Sequence, residues 1–82
     1  MPTIAVVDGV KIQMFYGDHT PPHFHAVIGG QEMLIASGTL DVIRGSLPPA
    51  VQCSVLEWAR QHQGELASNW IRCQSGQPPQ KI

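Results

Sequence analysis

The stretch HFHAVIGGQEMLIA, residues 23–36, decides the fold. Phe24 and Ala26 alternate with more polar residues, and successive side chains of a strand point to opposite faces of its sheet. Gly29-Gly30 favours a two-residue turn, because glycine takes a positive φ without a steric penalty. Residues 32–36 then form a second apolar strand. The stretch therefore predicts an antiparallel hairpin whose core face carries Phe24 and Ala26.

The residues on either side of this hairpin extend it into a β-meander. Residues 4–7 form a short apolar strand that ends at Asp8-Gly9, a strong signal for a two-residue hairpin. Residues 10–16 alternate in the period-two pattern of a half-buried strand, and residues 40–43 are a short fifth strand. We expect an antiparallel meander of four to five strands within residues 1–45.

The second half of the chain has the period of a helix. Ser46 is a candidate N-cap, and the two prolines that follow are tolerated in a first helical turn. Gly64 interrupts the helical pattern of residues 46–75, which form either one bent helix or two consecutive helices. Residues 76–82 form a C-terminal tail. Apolar residues recur at helical spacing at Val51, Val55, Trp58, Leu66, Trp70 and Cys73. The order of elements predicts a single α+β domain, residues 1–82, with the helices packed on one face of the sheet.

The composition limits the classes of function. The net charge is −1, and charged residues make up 13% of the chain, against about 25% in an ordinary soluble domain. The five basic residues are dispersed, which disfavours nucleic-acid binding. The chain has no secretory signal and no apolar run of about 20 residues, so we expect a cytoplasmic protein without a membrane partner. Cys53 and Cys73 are expected to be two buried thiols.

The most distinctive motif is the run DHTPPHFH, residues 18–25. His23 and His25 are two apart on a strand, so their side chains share a face, with Cβ atoms about 7 Å apart. His19 and Asp18, in the loop before the strand, can supply a third and a fourth ligand. These four residues are candidate ligands of a zinc-like divalent metal ion.

The same histidines can also serve roles that need no metal. No carboxylate stands out as the general base of a hydrolase, so the sequence gives no catalytic residue and favours a non-enzymatic role. His19, His23 and His25, together with Tyr16, can instead form a polar recognition surface. They can also be structural, with imidazoles bonded to backbone carbonyls or stacked on aromatic rings.

Segments along nearly the whole chain resemble one family of proteins. They are Met1-Pro2-Thr3-Ile4, the Asp18–His25 motif, Gly45-Ser46-Leu47-Pro48, Leu56-Glu57-Trp58-Ala59, Asn69-Trp70 and Gly76-Gln77-Pro78-Pro79-Gln80-Lys81-Ile82. The chain is similar to the small bacterial domain-of-unknown-function family 4160. The resemblance implies no activity. It does imply a partner, because members are often encoded beside a second small protein, of domain-of-unknown-function family 2442, in a pair that resembles a toxin and its antitoxin.

Three functions follow, in order of preference. The first is a non-enzymatic interaction module, as a homodimer or as the partner of a co-encoded small protein, because a domain of 82 residues has a small core and exposed sheet edges. The second is a metal-dependent hydrolase or nuclease that uses His19, His23 and His25. The third is a repressor that binds the nucleic acid of its own operon.

Overall fold

The computed structural model describes residues 3–82. Met1 and Pro2, which belong to the first of the segments that resemble the family, lie outside the described residues. The elements in chain order are β1 (Thr3–Val7), β2 (Val10–Gln13), β3 (His23–Ile28), β4 (Gln31–Ala36), β5 (Val42–Gly45), α1 (Pro49–Gln61) and α2 (Gln63–Gln74). The strands form one antiparallel sheet in the order β1-β2-β3-β4-β5. The predicted α+β fold, a meander followed by two helices, is confirmed.

The two short hairpin turns set the register of the sheet. Asp8 and Gly9 both have positive φ, 49° and 80°, as the type of turn that matches the twist of two paired strands requires. In the β3–β4 turn the first central residue, Gly29, has a positive φ of 57°, and Gly30 does not. This is the other two-residue turn that suits a hairpin. That turn pairs Ile28 with Gln31 and therefore places His25 opposite Leu34.

The core lies between the helices and one face of the sheet. Phe24 and Ala26 are fully buried, as the alternation of β3 predicts, and the ring of Phe24 meets that of Trp58 edge-on at 6.4 Å. A side chain the size of Phe24 contributes about 1.5–3 kcal/mol when it is fully buried. The helices contribute their apolar stripes, and the core cluster consists of Ile4, Val10, Ile12, Met14, Phe24, Ala26, Met33, Ile35, Leu47, Val55, Ala59, Leu66, Trp70 and Cys73.

Several boundaries differ from the prediction. The fifth strand covers Val42–Gly45 rather than residues 40–43. Helix α1 begins at Pro49 with Pro48 as its N-cap, so the expectation that Ser46 caps the helix is wrong. A residue before proline avoids the helical region, and Pro48, at ψ 141°, is extended for this reason. Strand β2 ends at Gln13 rather than at Tyr16, because the chain turns at Tyr16 and Gly17.

The helical half consists of two helices that meet at His62, two residues before the predicted break at Gly64. His62 has the non-helical φ of −125°, and its Nδ1 lies 2.6 Å from Oε1 of Glu65 in the first turn of α2. Within residues 3–82, neither helix has the length and apolar character that crossing a bilayer requires.

The C-terminal tail is held against α2 and β1. The buried side chain of Asn69 donates to the carbonyl of Gln80 and accepts from its N–H, each at 2.8 Å. The guanidinium of Arg72 donates to the carbonyl of Pro78 at 2.9 Å. The N–H of Ile82 then donates to the carbonyl of Ile4 at 2.8 Å. The tail therefore covers part of the outer edge of the sheet at β1.

Candidate metal centre

Three side chains of the DHTPPHFH motif converge at the start of β3. His23 and His25 lie on the same face of the strand, with ring centroids 5.2 Å apart, and Asp18 approaches them from the preceding loop. Oδ2 of Asp18 lies 3.0 Å from Nε2 of His23 and 3.3 Å from Nε2 of His25. One donor atom from each of the three residues lies within 4.8 Å of the other two.

Each imidazole is also bound at its other nitrogen. Nδ1 of His23 lies 2.8 Å from the carbonyl oxygen of Pro21, and Nδ1 of His25 lies 3.0 Å from Oε2 of Glu32. A carbonyl and a carboxylate only accept hydrogen bonds, so both Nδ1 atoms carry the hydrogen. A neutral imidazole has one N–H, and the Nε2 atoms are then left with free lone pairs that face Asp18.

This arrangement suits a cation at its centre. Two lone pairs of neutral imidazoles would face a carboxylate oxygen, so three acceptors would meet without a donor. One metal cation at this point would accept a lone pair from each of the three atoms.

The two separations from Oδ2 of Asp18 match the spacing of metal ligands. Zinc lies about 2.0–2.2 Å from its nitrogen and oxygen ligands, so neighbouring ligands are about 3 Å apart in octahedral and about 3.4 Å apart in tetrahedral sites. The separations of 3.0 and 3.3 Å from Asp18 lie in this range. Two histidines and one carboxylate are a donor set found with Zn²⁺ and with Fe²⁺, and three protein ligands leave coordination positions open.

Burial raises the pKa of the Asp18 carboxyl, but hydrogen bonds and charge outweigh that effect. The backbone N–H of His19 donates to Oδ1 at 2.8 Å, while His25 and then His23 favour the negative form. The pKa of Asp18 is therefore held below its usual value of 3.8. Asp18 is ionised, as a metal ligand must be.

Aromatic rings on both sides hold the imidazoles in place. The ring of Phe15 meets that of His25 edge-on at 4.4 Å, and the indole of Trp70 lies 5.3 Å from the ring of His23. His23 is only 7% exposed, because α2 reaches the end of β3 with Trp70. The two histidines share a face as predicted, but the side chain of His23 is buried because Trp70 of α2 contacts it at the end of the strand.

The other two predicted site residues lie outside the cluster. His19 is exposed at the rim, where its backbone N–H, rather than its imidazole, binds Asp18. Tyr16 is 50% exposed in a turn, and the ring that contacts His25 belongs to its neighbour Phe15. Neither His19 nor Tyr16 supplies a donor atom to the cluster formed by Asp18, His23 and His25.

A cleft of about 300 Å³ opens beside the three donors. Its walls are Asp18, His19, Thr20, Pro21, His23, His25, Leu34, Ile43 and Arg44. The last three come from β4 and β5, so the site spans the motif and the far edge of the sheet. A larger groove, between Pro22, Gly38 and α2, is lined by residues without a titratable side chain.

Glu32 and Arg44 are functional candidates that sequence patterns alone did not single out. The position of Glu32 can be inferred from the Gly29-Gly30 turn, because a two-residue turn places Glu32 diagonal to His25 on the same face of the sheet. No such signal exists for Arg44. The pairing of β4 with β5 shifts between Leu34 and Ile35, so the period-two rule fails at that point.

Comparisons with known proteins identify a family and nothing more specific. The family model described as "Domain of unknown function (DUF4160)" matches residues 9–71 of the 82-residue chain. No curated protein and no solved structure matches the chain.

Proposed function

We propose that this chain, which belongs to the DUF4160 family, binds a divalent transition-metal ion through Asp18, His23 and His25. His23 and His25 would bind the ion through Nε2, and Asp18 through Oδ2. Three protein ligands leave room for water or for an exogenous ligand on the side of the cleft.

The observation that carries this proposal is the occupation of both Nδ1 atoms. Metal-binding histidines usually donate their second N–H to a carboxylate or to a backbone carbonyl, which fixes the tautomer and the direction of the ring. His25 has the carboxylate of Glu32 in this position, and His23 has the carbonyl of Pro21. Both Nε2 atoms thereby face Oδ2 of Asp18, at 3.0 and 3.3 Å.

The variant that tests the proposal is Asp18→Asn, compared with wild-type protein purified without chelator or affinity tag. The substitution keeps the shape of the side chain, and its Oδ1 still accepts from the N–H of His19. Its amide nitrogen would replace Oδ2 and donate to the two Nε2 atoms. The side-chain amide of the variant therefore gives both Nε2 atoms a hydrogen-bond donor in the absence of metal. Its fold should be as stable as that of the metal-free wild type.

We expect near-stoichiometric metal in the wild type by elemental analysis. The affinity for the metal ion should fall by at least about 100-fold in Asp18→Asn, because the substitution removes a charged ligand. The matched control is Asp8→Asn, which removes a carboxylate from the β1–β2 turn, where asparagine tolerates a positive φ. A folded Asp18→Asn protein that binds Zn²⁺ as tightly as the wild type would contradict the proposal.

A second candidate function, protein interaction, is favoured by strand β5. All four of its residues are exposed at the edge of the sheet, and Val42 and Ile43 are 39% and 46% exposed. An exposed edge strand can pair with the edge of another chain, and a second copy of this protein supplies one. Light scattering after size-exclusion chromatography tests this dimer.

The variant Val42→Lys should shift such a dimer toward the monomer, because a charged edge residue disfavours pairing. The control Val6→Lys alters β1, at the opposite edge, where Val6 is 65% exposed. A wild-type monomer at all concentrations excludes the dimer. Roles as the partner of a co-encoded protein, as a hydrolase or nuclease, and as an operon repressor stay predictions of the sequence.

A further inference from the structure

We infer that the cleft beside the metal centre binds an organic oxyanion, a carboxylate or phosphate attached to a small apolar group. This inference rests on the proposed metal site and names its ligand class. One oxygen of the anion would occupy an open coordination position of the metal, and the charge would be shared with the guanidinium of Arg44 on β5.

Arg44 is the residue that selects a negative ligand. It lines the cleft together with the three donor residues, opposite Leu34 in the pairing of β4 with β5. The guanidinium groups of Arg60 and Arg72 bind Glu57 and the carbonyl of Pro78. In the part of the chain that the structure describes, residues 3–82, no carboxylate or carbonyl holds the guanidinium of Arg44. Its planar donors remain available, and their geometry matches a carboxylate or a phosphate.

The apolar part of the ligand is indicated by the wall next to Arg44. Ile43 is 46% exposed and lines the cleft with Leu34. An apolar substituent in contact with them would remove both side chains from water, which is favourable in proportion to the area buried. The volume of about 300 Å³ is at the lower end of the range for small-molecule sites, so it fits one small group rather than a polymer.

The open coordination position makes anion binding depend on the metal. Without the metal, the anion has no ligand position to occupy, and the carboxylate of Asp18, which lines the cleft, lies beside it and opposes it. A bound divalent cation would offset the charge of Asp18 and would offer a coordination position to one oxygen of the anion, in addition to the guanidinium of Arg44. We therefore expect the oxyanion to bind the metal-loaded protein and not the metal-free protein.

The test uses protein loaded with Co²⁺, whose visible absorption reports its coordination. The absorption spectrum after addition of Co²⁺ alone tests the metal site. Titration with phenyl phosphate, benzoate and inorganic phosphate then tests the anion site, and saturable spectral changes are expected. The preferred organic anion should bind at least about tenfold more weakly to Arg44→Gln, because a charge-assisted hydrogen bond is lost. The control Arg60→Gln, at the exposed Arg60–Glu57 pair on α1, should bind it unchanged.

The outcomes separate the two proposals. Co²⁺ binding without any spectral response to the three anions overturns the oxyanion site and leaves the metal site standing. Equal anion affinity in Arg44→Gln and the wild type overturns the role of Arg44, and with it this inference. Tighter binding of inorganic phosphate than of phenyl phosphate and benzoate overturns the inference that the ligand carries an apolar group. Failure to bind Co²⁺ overturns the metal site, and the oxyanion site with it.

Discussion

The indole ring of Trp70 lies beside the imidazole of His23, with the ring centroids 5.3 Å apart. Trp70 is 7% exposed, so the contact is shielded from water on the helical side. One turn further along α2, the side-chain amide of Gln74 donates to the backbone carbonyl of Asp18 at 3.0 Å. Helix α2 is therefore in contact with two of the three candidate ligands, and a change at the metal centre should be detectable at Trp70.

Metal binding should change the fluorescence of Trp70. In a Trp58→Phe protein, Trp70 is the single tryptophan, and Ni²⁺ or Co²⁺ bound at His23 would lie close enough to quench it. We expect saturable quenching with a stoichiometry of one ion per chain, reversed by a chelator.

The complementary protein is Trp70→Phe, which keeps Trp58. The indole ring of Trp58 neighbours His62, with ring centroids 5.0 Å apart, and not the candidate metal site. Its emission should therefore respond much less to the metal ion. Addition of Asp18→Asn to the Trp58→Phe protein should remove the quenching. Equal quenching with and without Asp18 would mean that the ion binds elsewhere.

Replacing Gly45, the last residue of β5, by alanine should destabilise the protein more than replacing a glycine of a hairpin turn. Gly45 has φ 78°, and an added Cβ would lie 2.1 Å from the carbonyl oxygen of Glu32 on β4. Gly29, at φ 57°, has open space around it, so Gly29→Ala shows the backbone strain alone, about 1–2 kcal/mol. We expect Gly45→Ala to lower the free energy of unfolding by about 3 kcal/mol or more, since overpacking adds about 1–3 kcal/mol to that strain. Urea denaturation measures both values, and equal losses would contradict the steric argument.

The sequence predicted the sheet because its turns are local signals. Asp8-Gly9 and Gly29-Gly30 set the register of two hairpins, and that register brings Glu32 diagonal to His25. Strand β5 is less predictable, because a bulge interrupts its pairing, so the position of Arg44 in the cleft follows from tertiary structure alone.

The site could be predicted in part for the same reason. His23 and His25 share a face by the geometry of a strand, and this relationship is independent of the loop before them. No periodic rule governs the direction of a side chain in an irregular loop. The choice of Asp18 over His19 depends on the hydrogen bond from the His19 backbone, which sequence patterns do not specify.

The two cysteines should differ in reactivity. Both were expected to be buried, and this is wrong for Cys53, which is exposed on α1, whereas Cys73 is 1% exposed on α2. Burial raises the pKa of the Cys73 thiol, despite an opposing effect of Arg72, and the thiolate is the reactive form. A chromogenic thiol reagent at pH 8 should modify one thiol per native chain quickly, and two in denaturant. Cys53→Ser should abolish the fast reaction, and a fast phase that survives this substitution would contradict the burial of Cys73.

The carboxylate of Glu32 should tune the affinity of the metal site without binding the ion. It lies 3.0 Å from Nδ1 of His25, so its charge fixes the tautomer and strengthens Nε2 as a donor. We expect Glu32→Ala to lower the affinity for Zn²⁺ by about 10–100-fold, the usual effect of losing such a partner. Glu32→Gln keeps an acceptor oxygen and should lose less. The control Glu57→Ala removes an exposed carboxylate on α1 that binds Arg60 and should leave the affinity unchanged. Competition with a chromogenic chelator measures these affinities. An affinity that falls equally in Glu32→Ala and Glu57→Ala would show a general effect of charge rather than support of His25.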